Sequence, residues 1–186
     1  MINAQDETLN QPDTASSSDR MRATKAPKTK RSNKKKNALK VKRIFSSSQE
    51  SPYDQVEWDK RVAEITDGKG KVIFRQEDVE VPKTWSMLAT NVVVSKYFYG
   101  EQDTNEREYS VRQLIHRVCR TIADWGTKDG YFNKTDGEIF YNELSWLCLN
   151  QYGAFNSPVW FNVGLYHEYG VGRDSAKGNW YFDPST

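Results

Sequence analysis

A chain can build a core only where its large apolar groups lie, and here they lie on one side of a boundary near residue 50. Of the 24 aromatic residues (six Trp, ten Tyr and eight Phe), only Phe45 precedes it. Residues 1–50 hold 12 Lys and Arg against 5 acids, a net charge of +7; residues 51–186 hold 15 against 20, a net charge of −5. All twelve of the early cations fall between Arg20 and Arg43, a stretch without acids or aromatics. Ordering one residue costs about 1–2 kcal/mol of backbone entropy, which so apolar-poor a segment cannot offset. The composition therefore predicts a disordered basic tail over residues 1–50 and a folded body over residues 51–186, the size of one modest domain.

The start of the chain has no continuous apolar stretch, and Asp6, Glu7 and Asp13 are foreign to a transit peptide. No apolar run approaches the roughly 18 residues of a membrane span. The two cysteines, Cys119 and Cys148, show neither a disulfide-framework spacing nor a CxxC pattern, which suits a reducing compartment. These features predict a cytoplasmic protein.

Within the body, residues 53–65 fit neither a helical nor a strand period. Gly68-Lys69-Gly70 reads as a turn, and Val72–Phe74 and Val79–Val81 as two short extended pieces, the second ended by Pro82. Trp85, Leu88, Ala89, Val92 and Lys96 recur at helical spacing. Ser110-Val111-Arg112-Gln113 has capping-box form, and Val111, Leu114, Ile115, Val118, Ile122 and Trp125 follow on one face, with Gly126 as the expected stop. A second box at Thr135–Glu138 opens a helix carrying Phe140, Leu144, Leu147 and Cys148, which ends before Gly153. The two helices are expected to pack antiparallel. Beyond Gly153, Pro158 pushes Ser157 out of the α region, and Phe161, Val163 and Leu165 alternate as in a strand. Asp174–Thr186, polar with Trp180, Tyr181 and Phe182 embedded, reads as a truncated edge. The expected fold class is mainly α with short β pieces.

Several groups invite a chemical reading. His116 and Cys119 share a helix face and, with Cys148 and His167, exhaust the His and Cys available to zinc; without a CxxC pattern the cysteines read as small core residues. Asp136, Glu138 and Glu143 read as partners of a helix macrodipole rather than as acid–base groups. Gly126, Gly130 and Gly137 form neither a P-loop nor a dinucleotide fingerprint. Arg107, Arg112, Arg117 and Arg120 read as a solvated face. The basic run over residues 20–43, with Lys34-Lys35-Lys36 at its centre, suits weak, sequence-independent phosphate contact with nucleic acid, or a merely solvating tail.

The most distinctive run is Gln151–Leu165, which contains Asn156-Ser157-Pro158 and Asn162-Val163-Gly164 among four aromatics. It resembles the Asn-Ser/Thr-Pro-x-x-x-Asn-x-Gly segment of ribonucleotide reductase large subunits, and its aromatic content resembles the adenosylcobalamin-dependent class II branch. Further blocks are similar to that branch in the same order. They are Trp58-x-x-Arg61, Val79–Pro82, Trp85–Thr90, Ser95–Phe98, Arg107–Arg112 and Gly130–Phe132. The likeness covers roughly residues 53–186.

The resemblance implies a helical region that leads into the first strand of a ten-stranded α/β barrel. It implies a ribonucleoside-diphosphate reductase that makes deoxyribonucleotides through a thiyl radical, generated by homolysis of the carbon–cobalt bond of adenosylcobalamin. By the same resemblance the catalytic cysteines, asparagine and glutamate and the cofactor site lie C-terminal to this chain. It is then expected to stop short of the first redox cysteine, to be inactive alone, and to need the C-terminal portion as its partner. One residue carries over: Ser157 matches the Ser/Thr that hydrogen-bonds the substrate nucleotide. The physics of Ser-Pro is compatible, since proline removes an amide donor and leaves the serine hydroxyl for a ligand, although Ser157 could equally start a turn. A contrasting reading is a non-catalytic interaction module with a nucleic-acid-binding tail.

Overall fold

The computed structural model describes residues 38–172, all of them within one compact unit. They form two strands, β1 (Trp58–Thr66) and β2 (Val72–Pro82), and five helices. The helices are α1 (Met87–Tyr97), α2 (Val111–Lys128), α3 (Lys134–Leu149), α4 (Ser157–Asn162) and α5 (Leu165–Tyr169). The fold is thus mixed α/β with helices predominant. No helix among the described residues is long and apolar enough to cross a membrane.

The segment that fitted neither template is the strand β1, and the two expected extended pieces are one strand, β2, paired to it antiparallel. The period of β2 was hidden by irregular pairing. Arg61 faces Val79 but Ala63 faces Gln76, so one residue of β1 spans two of β2, and Asp78 takes φ 53° at the bulge. The Asp67 carboxylate accepts the Lys69 and Lys71 amides at the turn. A two-stranded ribbon is marginal by itself; Ala63, Val79 and Val81 are fully buried in the shared core with α1 and α2.

Ser86 caps α1, its oxygen accepting the Ala89 amide at 3.1 Å. The capping box of α2 forms as expected, with the Gln113 side chain returning to the Ser110 amide at 3.1 Å. Gly126 is not the stop. It lies inside α2, where a Cβ would sit 2.5 Å from the Phe132 ring, and the helix runs on to Lys128. The α3 cap is Asn133, which accepts the Asp136 amide at 2.8 Å, not the Thr135 box. The two helices pack antiparallel, with Arg120 reaching Glu138 and His116 reaching Tyr141 across the interface.

The strand expected over Phe161–Leu165 is absent; α4 and α5 occupy this stretch. Proline is well accommodated in a first helical turn, where its missing amide costs nothing. Asn156 takes the extended N-cap conformation (φ −71°, ψ 161°) and Pro158 lies in the first turn. Trp160 and Val163 turn inward, and Gly164, with φ 89°, breaks the two short helices apart. The aromatic edge at Asp174–Thr186 lies outside the described residues.

Residues 38–50 correct the expected tail. The Leu39 amide donates to the Tyr131 carbonyl at 2.8 Å and the Val41 amide to Asp136 at 3.0 Å. The Glu143 carboxylate accepts from the amides of Ile44, Phe45 and Ser46 and from the Ser46 hydroxyl. Phe45 stacks on Trp146 with centroids 5.1 Å apart. Composition hides this because the anchoring groups are backbone amides, and the partners lie about a hundred residues away.

Bonds to a charged group contribute about 1.5–3 kcal/mol each, while ordering each residue costs about 1–2 kcal/mol, so attachment of this strap is finely balanced. Glu143→Ala is expected to release residues 39–46, read as rapid proteolysis before residue 50 with the remainder intact. Protection equal to that of the unaltered chain would contradict it. Burial pushes the Glu143 carboxyl up, but the Ser46 hydroxyl and the three amides hold it below its ordinary range. Its contribution is therefore complete above the unfolded value and lost as pH falls through the depressed one, so acid should release the strap in the same way. Deleting residues 1–37 should leave the melting temperature unchanged; the measurement is the melting curve with and without them.

Candidate functional site

An apolar cleft of about 380 Å³ opens between α1, α2, the end of α3 and the segment that follows it. Trp85, Tyr97, Leu114, Phe155 and Trp160 line it, with Cys148 among them. Its walls are fixed from outside: the Trp85 indole donates to the Leu149 carbonyl at 2.8 Å, and the Phe155 and Trp160 rings meet edge to face. Ser157 stands beside this cleft, half-buried at the first position of α4. Its Oγ lies 3.1 Å from the Tyr97 hydroxyl, so two neighbouring hydroxyls share one hydrogen bond. A hydroxyl offers one donor and two acceptor positions, which leaves the pair able to bind further.

Beneath α4 lies the most buried charge of the described residues. Arg117 and Glu108 are both 0% exposed, with Arg117 Nε 2.7 Å from Glu108 Oε1. The same guanidinium donates to the carbonyls of Val163 at 2.8 Å, Trp160 at 3.0 Å and Tyr97 at 3.0 Å. Glu108 also accepts from the Tyr99 amide at 2.7 Å and the Tyr169 hydroxyl at 2.8 Å. Burial and the adjoining Glu108 carboxylate push the Tyr169 phenol far up, so it stays a donor. A charge this deep is tolerable only because its lone pairs and protons are met.

The solvated-face reading of the arginines is wrong for Arg117, and partly so for the others. Arg107 donates to the carbonyls of Val94, Phe98 and Gly100, closing the end of α1. Arg112 lies over the Trp58 ring at 4.3 Å, and Arg120 over Tyr141 at 4.6 Å while paired to Glu138 and Asp124. A polar groove of about 650 Å³ between β2 and residues 103–109 is bordered by Arg75 and Arg107. Both of these cations are engaged, Arg75 by Glu64 and Glu77.

The structure does not gather the zinc candidates. No group of three or more His, Cys, Asp and Glu able to hold a metal occurs among the described residues. His116 Nδ1 lies 2.7 Å from the Tyr141 hydroxyl, and His167 Nε2 accepts from the Trp125 indole. Cys119 and Cys148 are buried and free of disulfides. Contact with the Cys148 sulfur, reinforced by burial, pushes the Cys119 thiol well above its ordinary range, so it is protonated and unreactive. Asp136 sits in the first turn of α3, as the macrodipole reading has it, but also anchors the strap; Glu143 serves the strap alone. Of the basic run, Lys40 pairs with Asp136 and Arg43 bonds Ser46 and Ser47; residues 20–37 lie outside the described residues.

Sequence reasoning gave Glu108 and Tyr97 no role of their own and misread Arg117 and Glu143. Arg117 carried a usable signal, since it follows Leu114 by three positions and so lies on the apolar face of α2.

Residues 59–151 match the family model described as class II vitamin B12-dependent ribonucleotide reductase. A vitamin B12-dependent ribonucleotide reductase of Rhodopirellula baltica is 60% identical over 72% of this chain. One from Streptomyces coelicolor is 42% identical over 79%, and one from Agrobacterium fabrum 31% identical over 80%. The matched part of the chain spans only 13–14% of the length of these relatives. The chain therefore belongs to the class II, vitamin B12-dependent ribonucleotide reductase family, and its matched residues correspond to the N-terminal region of that family.

Proposed function

We propose that the chain is the substrate-side N-terminal part of a cytoplasmic, adenosylcobalamin-dependent ribonucleoside-diphosphate reductase, with Ser157 as a ligand of the nucleotide. The observation that carries the reading is the family match running through β1, β2 and α1–α3, the elements that hold the Ser157 segment. The adjacent Tyr97 hydroxyl and the apolar walls beside it supply what a nucleotide needs, a few placed polar groups on an apolar surface. In this reading the helical region leads into the first strand of a ten-stranded α/β barrel, and the remaining portion of the enzyme completes the site.

The described residues do not fit the cofactor. The cleft has the volume of a drug-sized ligand, well short of a corrinoid, and no histidine lines it. Radical chemistry would then be supplied by the cofactor held by other parts of the complete enzyme. The task left to this chain is binding and orientation: Ser157 holds the nucleotide by its hydroxyl, and Tyr97 fixes that hydroxyl.

The reading is tested by assaying deoxynucleotide formation with adenosylcobalamin and a dithiol. The complete reductase carrying this chain is expected to reduce ribonucleoside diphosphates, and the isolated 186-residue chain to form no product, because in this reading the catalytic cysteines lie in the remaining portion of the enzyme. Product from the isolated chain, or a complete protein that ignores the cofactor, would overturn it.

A further inference from the structure

We propose that Arg117 is a positioning residue for the Ser157 segment, fixing α4 and α5 against the end of α1. That this matters for substrate rests on the reading of Ser157 given above; the mechanical role does not.

Helix α4 has six residues and α5 five, far below the length at which a helix stands alone in water. Both depend on outside anchors. Arg117 supplies them at the C-terminal end of α4, where the Trp160 and Val163 carbonyls face its guanidinium and a cation suits the helix dipole. The same group donates to the Tyr97 carbonyl, while the Tyr97 hydroxyl meets Ser157 Oγ. One guanidinium therefore sets both sides of the contact that orients the Ser157 hydroxyl. Glu108 holds that guanidinium in place and, through the Tyr169 hydroxyl, ties down the end of α5.

The chain also passes unusually close to α2 here. A Cβ on Gly164 would lie 2.4 Å from the Arg117 carbonyl oxygen, and φ of 89° disfavours any other residue. Only a planar fork with five donors can serve a carboxylate and three carbonyls from different elements at once; a lysine ammonium has three. An arginine that merely filled the core would not need acceptors drawn selectively from the ends of α1 and α4.

Hydrogen exchange resolved by peptide, on the 186-residue chain, decides the matter. Arg117→Lys is expected to speed exchange across residues 157–169 by about tenfold or more, equivalent to about 1.4 kcal/mol, with α2 and α3 unchanged. Gly164→Ala, whose Cβ would force this stretch away from the Arg117 backbone, is expected to loosen the same residues. Equal acceleration throughout α2 and α3, or none in 157–169, would overturn the proposal. In the complete reductase, Arg117→Lys should raise the KM for the nucleotide with kcat little changed, as Ser157→Ala should. If Arg117→Lys loosens the segment while Ser157→Ala leaves KM alone, the positioning role stands and the nucleotide reading falls. If Ser157→Ala raises KM while Arg117→Lys alters neither exchange nor KM, the positioning role falls and the nucleotide reading stands.

Discussion

Glu108→Ala is expected to destabilise the chain by about 3–5 kcal/mol, the range found when one partner of a buried ion pair is removed. The loss is large because three donors lose their acceptor together: the Arg117 guanidinium, the Tyr99 amide and the Tyr169 hydroxyl. With neither member of the pair exposed, water cannot replace the carboxylate without opening the core. Domain stabilities are about 5–15 kcal/mol, so the variant should be close to unfolding at ambient temperature. Removing both charges, as in Glu108→Gln with Arg117→Met, should cost less than the sum of the single changes, since no lone charge is left buried. Urea unfolding midpoints check both statements. A loss below about 1 kcal/mol for Glu108→Ala, the scale of a surface pair, would show that the pair is hydrated in solution.

What could be read from the sequence depended on how local the determining forces were. Helix α2 was legible because its capping box and apolar stripe both lie within 18 residues, and it forms as expected. β2 reads as two separate pieces, because the bulge at Asp78 breaks the two-residue period that a strand would otherwise display. The misread strand over Phe161–Leu165 rested on three alternating residues. The helices there are fixed by the distant Arg117 guanidinium, which donates to the Trp160 and Val163 carbonyls and which no local period reports. The strap at residues 39–46 was assigned to the tail for the same reason, its partners Asp136 and Glu143 being remote in sequence.

The candidate site was legible only in part. Ser157 was singled out through resemblance, and Pro158 alone would have placed it in a turn. Its neighbour Tyr97, 60 positions earlier, becomes visible only when α1 and α4 are brought together. Arg117 was misassigned to solvent although it sits on the apolar face of its own helix. A guanidinium's charge argues for solvent, but in a buried network position on the helix decides.

The Michaelis constant of Ser157→Ala in the complete reductase tests the central claim most directly. If the hydroxyl meets a neutral group of the nucleotide, its loss should cost about 0.5–1.5 kcal/mol; if a charged phosphate oxygen, about 1.5–3 kcal/mol. The expected result is thus a rise in KM of roughly two- to a hundredfold. Stability should change little, since Ser157 is half-buried and its hydroxyl bonds to another hydroxyl, that of Tyr97. Ser157→Thr, which keeps the hydroxyl, should restore most of the affinity. An unchanged KM accompanied by a marked fall in melting temperature would contradict the account and assign Ser157 to the architecture of α4 alone.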